Sequence, residues 1–225
     1  TYEITVLPDT TNITKVDLQP DTVYTQAGQV VERLQKFYDG VRDFKAAFSQ
    51  EYTSRVFGTP RRSQGFLYIK KPGMMRWDYR RPNRKHFIVS GKVLYIYDPE
   101  LSQVVVDRHF ISSELSAAVT FLWGRGRLEK SFRISLSQRA DLQRPDAWVL
   151  ELVPRGPARF RRLWMVVRRK DAMVVQTLLE DPGGNLNKIT FSKVSVNVGL
   201  RDDAFSFTVP PGVDVIEVPA PPGGG

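Results

Sequence analysis

Side chains that ordinarily do chemistry are scarce in this chain. There are two histidines, His86 and His109, and no cysteine. The histidines lack the His-x-x-x-His spacing that sets two imidazoles on one helix face around a metal. His86 follows a basic turn within a strand pattern, which suits a structural role. No Gly-x-Ser-x-Gly elbow and no glycine-rich phosphate loop occurs; Gly124-Arg-Gly126 is a two-glycine loop and nothing more. Asp202-Asp203 suits the start of a helical turn, where carboxylates meet exposed N–H groups. Zero cysteines excludes disulfides, iron–sulfur clusters, thiolate metal sites and cysteine nucleophiles. These residues point to a protein that is not an enzyme.

Two other chemistries are abundant. The first is cationic: the formal net charge is +9. Residues 1–28 carry −3, from Glu3, Asp9, Asp17 and Asp21 against Lys15, so the remainder carries +12. Basic clusters fall at strand ends and turns, as at Arg61-Arg62, Arg80-Arg81, Arg84-Lys85, Arg161-Arg162 and Arg168-Arg169-Lys170. Such clusters serve a nucleic-acid surface, a docking rim for acidic partners and anionic head groups, or a solvated coat on a protein that binds hydrophobic ligands. An RNP-like, zinc-finger or helix-turn-helix pattern is lacking, which argues against nucleic acid. The second chemistry is apolar burial: 41% hydrophobic against 25% charged residues is a globular balance, not a disordered one. No apolar run approaches the ~20 residues of a membrane-spanning helix, and no basic-then-apolar leader opens the chain.

The elements that carry these side chains are mostly strands, organised around Gly65 to Asp98. Phe66–Lys71, Met74–Tyr79, His86–Val89 and Val93–Tyr97 are short β-rich runs. Pro72-Gly73, Arg80-Arg81-Pro82-Asn83 and Ser90-Gly91-Lys92 supply turn chemistry between them. Both faces of these runs carry large apolar side chains, unlike a sheet with one solvated face. Upstream, Ala27, Val30, Val31, Leu34, Phe37, Tyr38 and Val41 recur at helical spacing, with a start near Thr25 and a stop at Gly40. Phe44, Ala46, Phe48, Gln50 and Tyr52 then alternate as one strand face. Downstream, Gln103–Arg108 reads as a strand and Ser112–Leu122 as a short amphipathic helix. Ser131–Ser137, Trp148–Val153, Phe160–Val167, Ala172–Glu180 and Lys188–Val198 complete the strands. Tyr2, Ile4 and Val6 alternate in an N-terminal extension. The expected organisation is that extension at 1–28, one domain at 29–216 and a Pro/Gly tail at 217–225. About eleven strands in one domain form a sheet that curls toward a barrel, and large barrels enclose cavities.

Lys-Lys-Pro-Gly-Met-Met-Arg-Trp-Asp-Tyr79, a Pro, then Phe-Ile-Val-Ser-Gly-Lys-Val-Leu-Tyr-Ile-Tyr-Asp-Pro99 resembles the LolA type of periplasmic lipoprotein carrier. The resemblance extends to Phe44-Lys-Ala-Ala-Phe-Ser-Gln50 and Phe205-Ser-Phe-Thr-Val-Pro-Pro-Gly-Val213, and so covers roughly residues 29–216. It implies a mainly β fold, an incomplete antiparallel β-barrel with a helical lid over an apolar cavity. It also implies a monomeric periplasmic carrier without cofactor. Its partners would be acylated lipoproteins, an inner-membrane lipoprotein-releasing ABC transporter that loads it, and an outer-membrane acceptor lipoprotein. Relatives of this fold that bind other envelope lipids or glycolipids, or act as sensors, form the alternative.

Strand parity nominates the cavity lining. Leu67, Ile69 and Lys71 share a face that Met75 and Trp77 continue, and Phe44, Phe48 and Leu163 are added from other strands. Met74, Met75 and Met165 would suit an adaptable lining. The lid would offer Leu34 and Tyr38 from the first helix and Leu115, Val119 and Leu122 from the second. The resemblance also implies a latch. Where the family strand ends Lys-Arg-Pro, with an arginine that bonds lid backbone, this chain has Lys70-Lys71-Pro72. Lys71 offers three donors instead of five, so a weaker latch is expected, with Arg76 as a substitute if it turns inward.

Overall fold

The computed structural model describes residues 20–110 and 127–219. The extension strand at Tyr2, Ile4 and Val6, the helix at 112–122 and residues 220–225 of the tail lie outside the described residues. After helix α1 (Pro20–Asp39) come β1 (Asp43–Thr53), β2 (Pro60–Lys70), β3 (Met74–Arg81), β4 (Lys85–Ser90), β5 (Val93–Asp98) and β6 (Gln103–Asp107). A single turn of helix, α2 (Leu128–Ser131), leads into β7 (Phe132–Leu136), β8 (Ala147–Pro154), β9 (Arg162–Arg168), β10 (Val174–Glu180) and β11 (Leu186–Val196). The short strand β12 (Asp214–Glu217) ends the described fold, after a 3-10 turn at Asp202–Phe205.

All twelve strands belong to one sheet, in the order β12-β6-β5-β4-β3-β2-β1-β11-β10-β9-β8-β7. Neighbours are antiparallel except β12, which runs parallel to β6. The two ends of that order do not pair with each other, so the barrel is incomplete. Its curl follows from the helix. α1 leads straight into β1, in the middle of the order, yet it packs beside β7 at one edge. Side chains from α1 and from β1 through β4 and β7 through β11 meet in one buried cluster, so the sheet wraps around the helix.

α1 starts at Pro20, five residues before the start read at Thr25. Proline suits a first helical position because its missing N–H would have no intrahelical partner there. The stripe Ala27, Val30, Val31, Leu34 and Tyr38 is buried, and the last turn tightens as Gly40 N–H and Val41 N–H bond Phe37 O and Tyr38 O. The corner into β1 is clamped to the end of β11. Buried Asp43 accepts from Val198 N–H and Gly199 N–H at 2.7 and 3.0 Å. Asn197 accepts from Arg42 N–H and donates to Gly40 O.

The apolar second face of the central strands also has its cover. Residues Asp202–Phe205 lie against β3 and β4, with Phe205 1% exposed. Arg76 and Lys70 hold that segment through Ala204 O, Leu200 O and Asp202. Beneath it, Asp78 accepts from Arg76 at 2.9 Å and meets His86 Nδ1 at 2.6 Å, while His86 stacks on Tyr97. Burial alone would raise the Asp78 carboxyl, but His86 and Arg76 together hold it below the usual carboxylate range. His86 is therefore placed in a structural network on the outer face. A second small core forms outside β8–β10, where Leu142, Val149, Trp164, Val166 and Leu178 are buried together.

One glycine sets the shape of the wall. Arg80 is an extra residue in β3, since Gln64 pairs with Arg81 and Gly65 with Tyr79. At this bulge a Cβ on Gly65 would lie 2.0 Å from Asp78 O and 3.0 Å from the Phe48 ring. Phe48 takes the place of the missing side chain and packs edge-on to Trp77 and Tyr79, at centroid distances of 4.8 and 5.0 Å. Gly28, inside α1, has open space at its would-be Cβ: beyond the helix's own backbone and chain neighbours, no atom of the described residues lies within 4 Å. Gly65→Ala should cost roughly 1–3 kcal/mol through backbone displacement. Gly28→Ala should add roughly 0.5–1 kcal/mol by lowering the conformational entropy of the unfolded chain that folding must overcome. Urea unfolding midpoints of the two variants should move in opposite directions.

Candidate functional site

The inner face of the sheet is a continuous apolar wall. Pairing puts Ile69 beside Met75 and Leu67 beside Trp77, while Phe44 and Phe48 follow on β1 and Leu163 on β9. Leu34 and Tyr38 of α1 join these seven residues in one buried cluster. Leu115, Val119 and Leu122 lie outside the described residues. Trp77 donates its indole N–H to Met75 Sδ at 3.2 Å, which ties two lining residues together. Met165 is fully buried in the same cluster, but Met74 has the opposite parity and is only half-buried.

The wall is larger than the residues singled out from sequence. Val89, Leu150, Leu152, Val167, Val174 and Phe191 also belong to the cluster, with Tyr79, Phe87 and Leu94 at its margin. Their period-two alternation was the signal available for them. At the end where β1 turns into β2 and β3 into β4, a cavity of about 240 Å³ opens beside Ser63, Tyr79, Asn83, Lys85 and Phe87. Burial pushes the Tyr79 hydroxyl up to about 12, although a hydrogen bond with Gln50 pulls the other way. It stays neutral at the inner rim.

α1 is fastened at the opposite end by a few discrete polar contacts. Lys71 Nζ donates to Tyr38 O at 2.5 Å. That carbonyl belongs to the last helical turn, where acceptors lack intrahelical donors and the helix dipole favours a cation. The Tyr38 hydroxyl accepts from Val174 N–H at 3.2 Å, and full burial raises its pKa far above the usual tyrosine value. Arg33 donates to Arg169 O at 2.9 Å, and both guanidinium groups lie against the Trp148 ring. Arg33, Trp148 and Arg169 had no motif to mark them, because their meeting depends on the curl of the sheet.

Arg76 is not part of this fastening. It alternates with the inward Met75 and Trp77, so it faces outward, where it bonds Asp78 and Ala204 O. This corrects the inward reading of Arg76 as a substitute latch. The β2–β3 turn thus brings Lys71 alone to the end of α1.

A helix seated inside one open, strongly curved sheet defines the class of this protein: an incomplete β-barrel with an apolar interior. A structure of this architecture from Thermus thermophilus, an uncharacterized conserved protein, superposes with a TM-score of 0.54 at 12% identity, over 86% of this chain and 99% of that one. The family model for the outer membrane lipoprotein carrier protein LolA matches residues 39–208, and the chain belongs to that family. Outer-membrane lipoprotein carrier proteins of Nitrosomonas europaea and Dechloromonas aromatica are 30% and 32% identical to it. Each alignment covers 83% of this chain, and 88% and 86% of those relatives respectively.

Burial draws the Lys71 ammonium below the usual lysine range, with Asp39 acting in the other direction. Between that folded value and ~10.4 the unfolded chain binds more protons here, so the stability linked to Lys71 rises with pH across this window. Lys71→Met should lack that rise. It should also speed hydrogen exchange in the last turn of α1 by on the order of tenfold, the effect of losing one charge-assisted bond. Lys71→Arg should restore protection at this turn. Unchanged exchange in Lys71→Met would show that Tyr38 and Arg33 hold the helix without it.

Proposed function

We propose that this protein is a periplasmic carrier that holds the acyl chains of lipoproteins against the inner face of its barrel. The observation that carries the reading is the wall itself. Apolar side chains from strands on both sides of α1 converge on the helix, and polar fastenings secure that helix near its C-terminal end. An acyl chain of ~15 methylenes needs shelter from water worth on the order of 12 kcal/mol. A carrier must supply that shelter and still give it up to an acceptor. Displacing α1 exposes the wall, while Met75 and Met165 repack easily around a guest.

Membership of the lipoprotein carrier family and the names of its relatives support this assignment. The same reading gives a monomer with no cofactor and no catalytic residue in this chain. Loading by an inner-membrane lipoprotein-releasing ABC transporter and delivery to an outer-membrane acceptor lipoprotein complete the route. Lys71 would act as the latch of the empty carrier, with Leu34 and Tyr38 as its lid surface and Leu115, Val119 and Leu122 as the second lid helix.

Two tryptophans on opposite faces of the sheet test the site. Trp77 lines the inner wall, whereas Trp164 lies in the small outer core under Arg139. Variants that retain one of these tryptophans, with phenylalanine at the others, should be titrated with a lipopeptide brominated along its acyl chains. Saturable quenching of Trp77 with little effect on Trp164 is expected. Equal quenching of the two, or binding that leaves Trp77 unquenched, would place the acyl chains elsewhere.

A further inference from the structure

Among the described residues, the two most exposed large apolar side chains sit together at the tip of the β1–β2 hairpin, apart from the lesser exposure of Leu101 and of Val215, Ile216 and Val218 on and beside β12. Val56 and Phe57 are 83% and 79% exposed, the highest values among the large hydrophobic side chains of the described residues. The tip is built rather than loose. Gly58 N–H bonds Ser54 O at 2.9 Å, and Arg55 N–H bonds Asn185 Oδ1 at 3.0 Å in the neighbouring β10–β11 turn. The Arg55 side chain lies across Gly184, its Cδ 3.0 Å from where a Cβ would stand. Two apolar side chains are thus held outward on a propped turn.

The charge around them is mostly positive, with Asp181 bonded to Asn185 in the β10–β11 turn and Glu100 accepting from Asn83 and Arg84 N–H. Residues 52–77 contain no acidic residue. Arg55, Arg61, Arg81, Arg84 and Arg161 are exposed at this end of the sheet, and none forms a salt bridge among the described residues. The carboxylates of Glu51, Glu151 and Glu180 at the same end already face Arg62, Lys188 and Arg162. The pattern is a convex apolar point inside a spread of guanidinium groups. A convex tip has no groove to receive a protein segment, but it matches a bilayer, where apolar side chains enter the interface and cations meet lipid phosphates.

We propose that this end of the barrel docks on an anionic phospholipid surface, with Val56 and Phe57 entering the headgroup region and the surrounding arginines on the phosphates. The cavity beside Tyr79 and Phe87 opens at the same end, whereas the Lys71–Tyr38 contact lies at the other. Docking would therefore present the cavity beside Tyr79 and Phe87 to the membrane and leave the helix fastening free to move. The proposal does not depend on which cargo the barrel holds.

Cosedimentation of the intact protein with vesicles tests it. Binding is expected to vesicles of phosphatidylcholine containing one third phosphatidylglycerol, and to be much weaker with phosphatidylcholine alone. Val56→Ser/Phe57→Ser should lower the partition coefficient by about tenfold or more without moving the unfolding midpoint, since both side chains are exposed. Arg55→Gln/Arg61→Gln should weaken binding and flatten its salt dependence. A Phe57→Trp variant should gain blue-shifted emission over wild type on the anionic vesicles. Binding that survives the Val56/Phe57 double substitution, or a Phe57→Trp signal that does not shift, overturns the proposal. So does displacement by inorganic phosphate or by an oligonucleotide, which would reveal a general anion surface.

Discussion

Tyr38 is the point on which this structure turns. Its ring is buried in the main core, its carbonyl takes the Lys71 ammonium and its hydroxyl takes the N–H of Val174. One residue thus ties the end of α1 to the β2–β3 turn and to β10, on either side of β1 and β11 in the sheet order. The geometry is possible because the carbonyls of a last helical turn lack intrahelical donors. A helix end buried without partners would be costly, so the same groups that hold the helix also satisfy it. These are few bonds of modest net strength, set against a large apolar contact.

That balance follows from an open sheet. Twelve strands curl strongly, and an inner face lined by Phe44, Phe48, Leu67, Ile69, Met75 and Trp77 cannot be left to water. α1 covers it from within. Gly65 contributes by subtraction: without a Cβ there, Phe48 can lie down on β2 and meet Trp77 and Tyr79. The outer face has its own covers, the 202–205 turn over β3 and β4 and the small core around Trp164. Large apolar residues on both faces of the central strands therefore have two different destinations. One is a static cover held by Arg76 and Lys70; the other is the helix held by Lys71, Tyr38 and Arg33.

The two ends of the barrel differ in the same way. One holds the helix end, the Lys71 contact and the corner clamped by Asp43 and Asn197. The other carries the cavity beside Tyr79 and Phe87, arginines that form no salt bridge among the described residues, and the apolar hairpin tip. The excess positive charge of the chain is thus not an even coat. At the end with the hairpin tip, Glu51, Glu151 and Glu180 are engaged with Arg62, Lys188 and Arg162, and other cations form no salt bridge among the described residues.

The alternation of the strands was legible from sequence because side-chain period and burial are local properties. Leu67, Ile69 and Lys71 on one face, continued by Met75 and Trp77, followed from counting by two across the Pro72-Gly73 turn. The same count places Arg76 on the outer face, and its reading as a latch set that parity aside. The start of α1 was misplaced because residues 20–24 offer little apolar periodicity, whereas Pro20 marks a first turn by its backbone chemistry. β12 was illegible: its parallel pairing with β6 joins segments about a hundred residues apart, and no local pattern encodes such a partner. Family membership could be read from ordered motifs, since these are strings of neighbouring residues. Which lysine reaches which carbonyl could not. Lys71 meets Tyr38, and Arg33 meets Trp148 and Arg169, only because the sheet curls far enough to bring its turns to the helix, and that curl is a property of all twelve strands together.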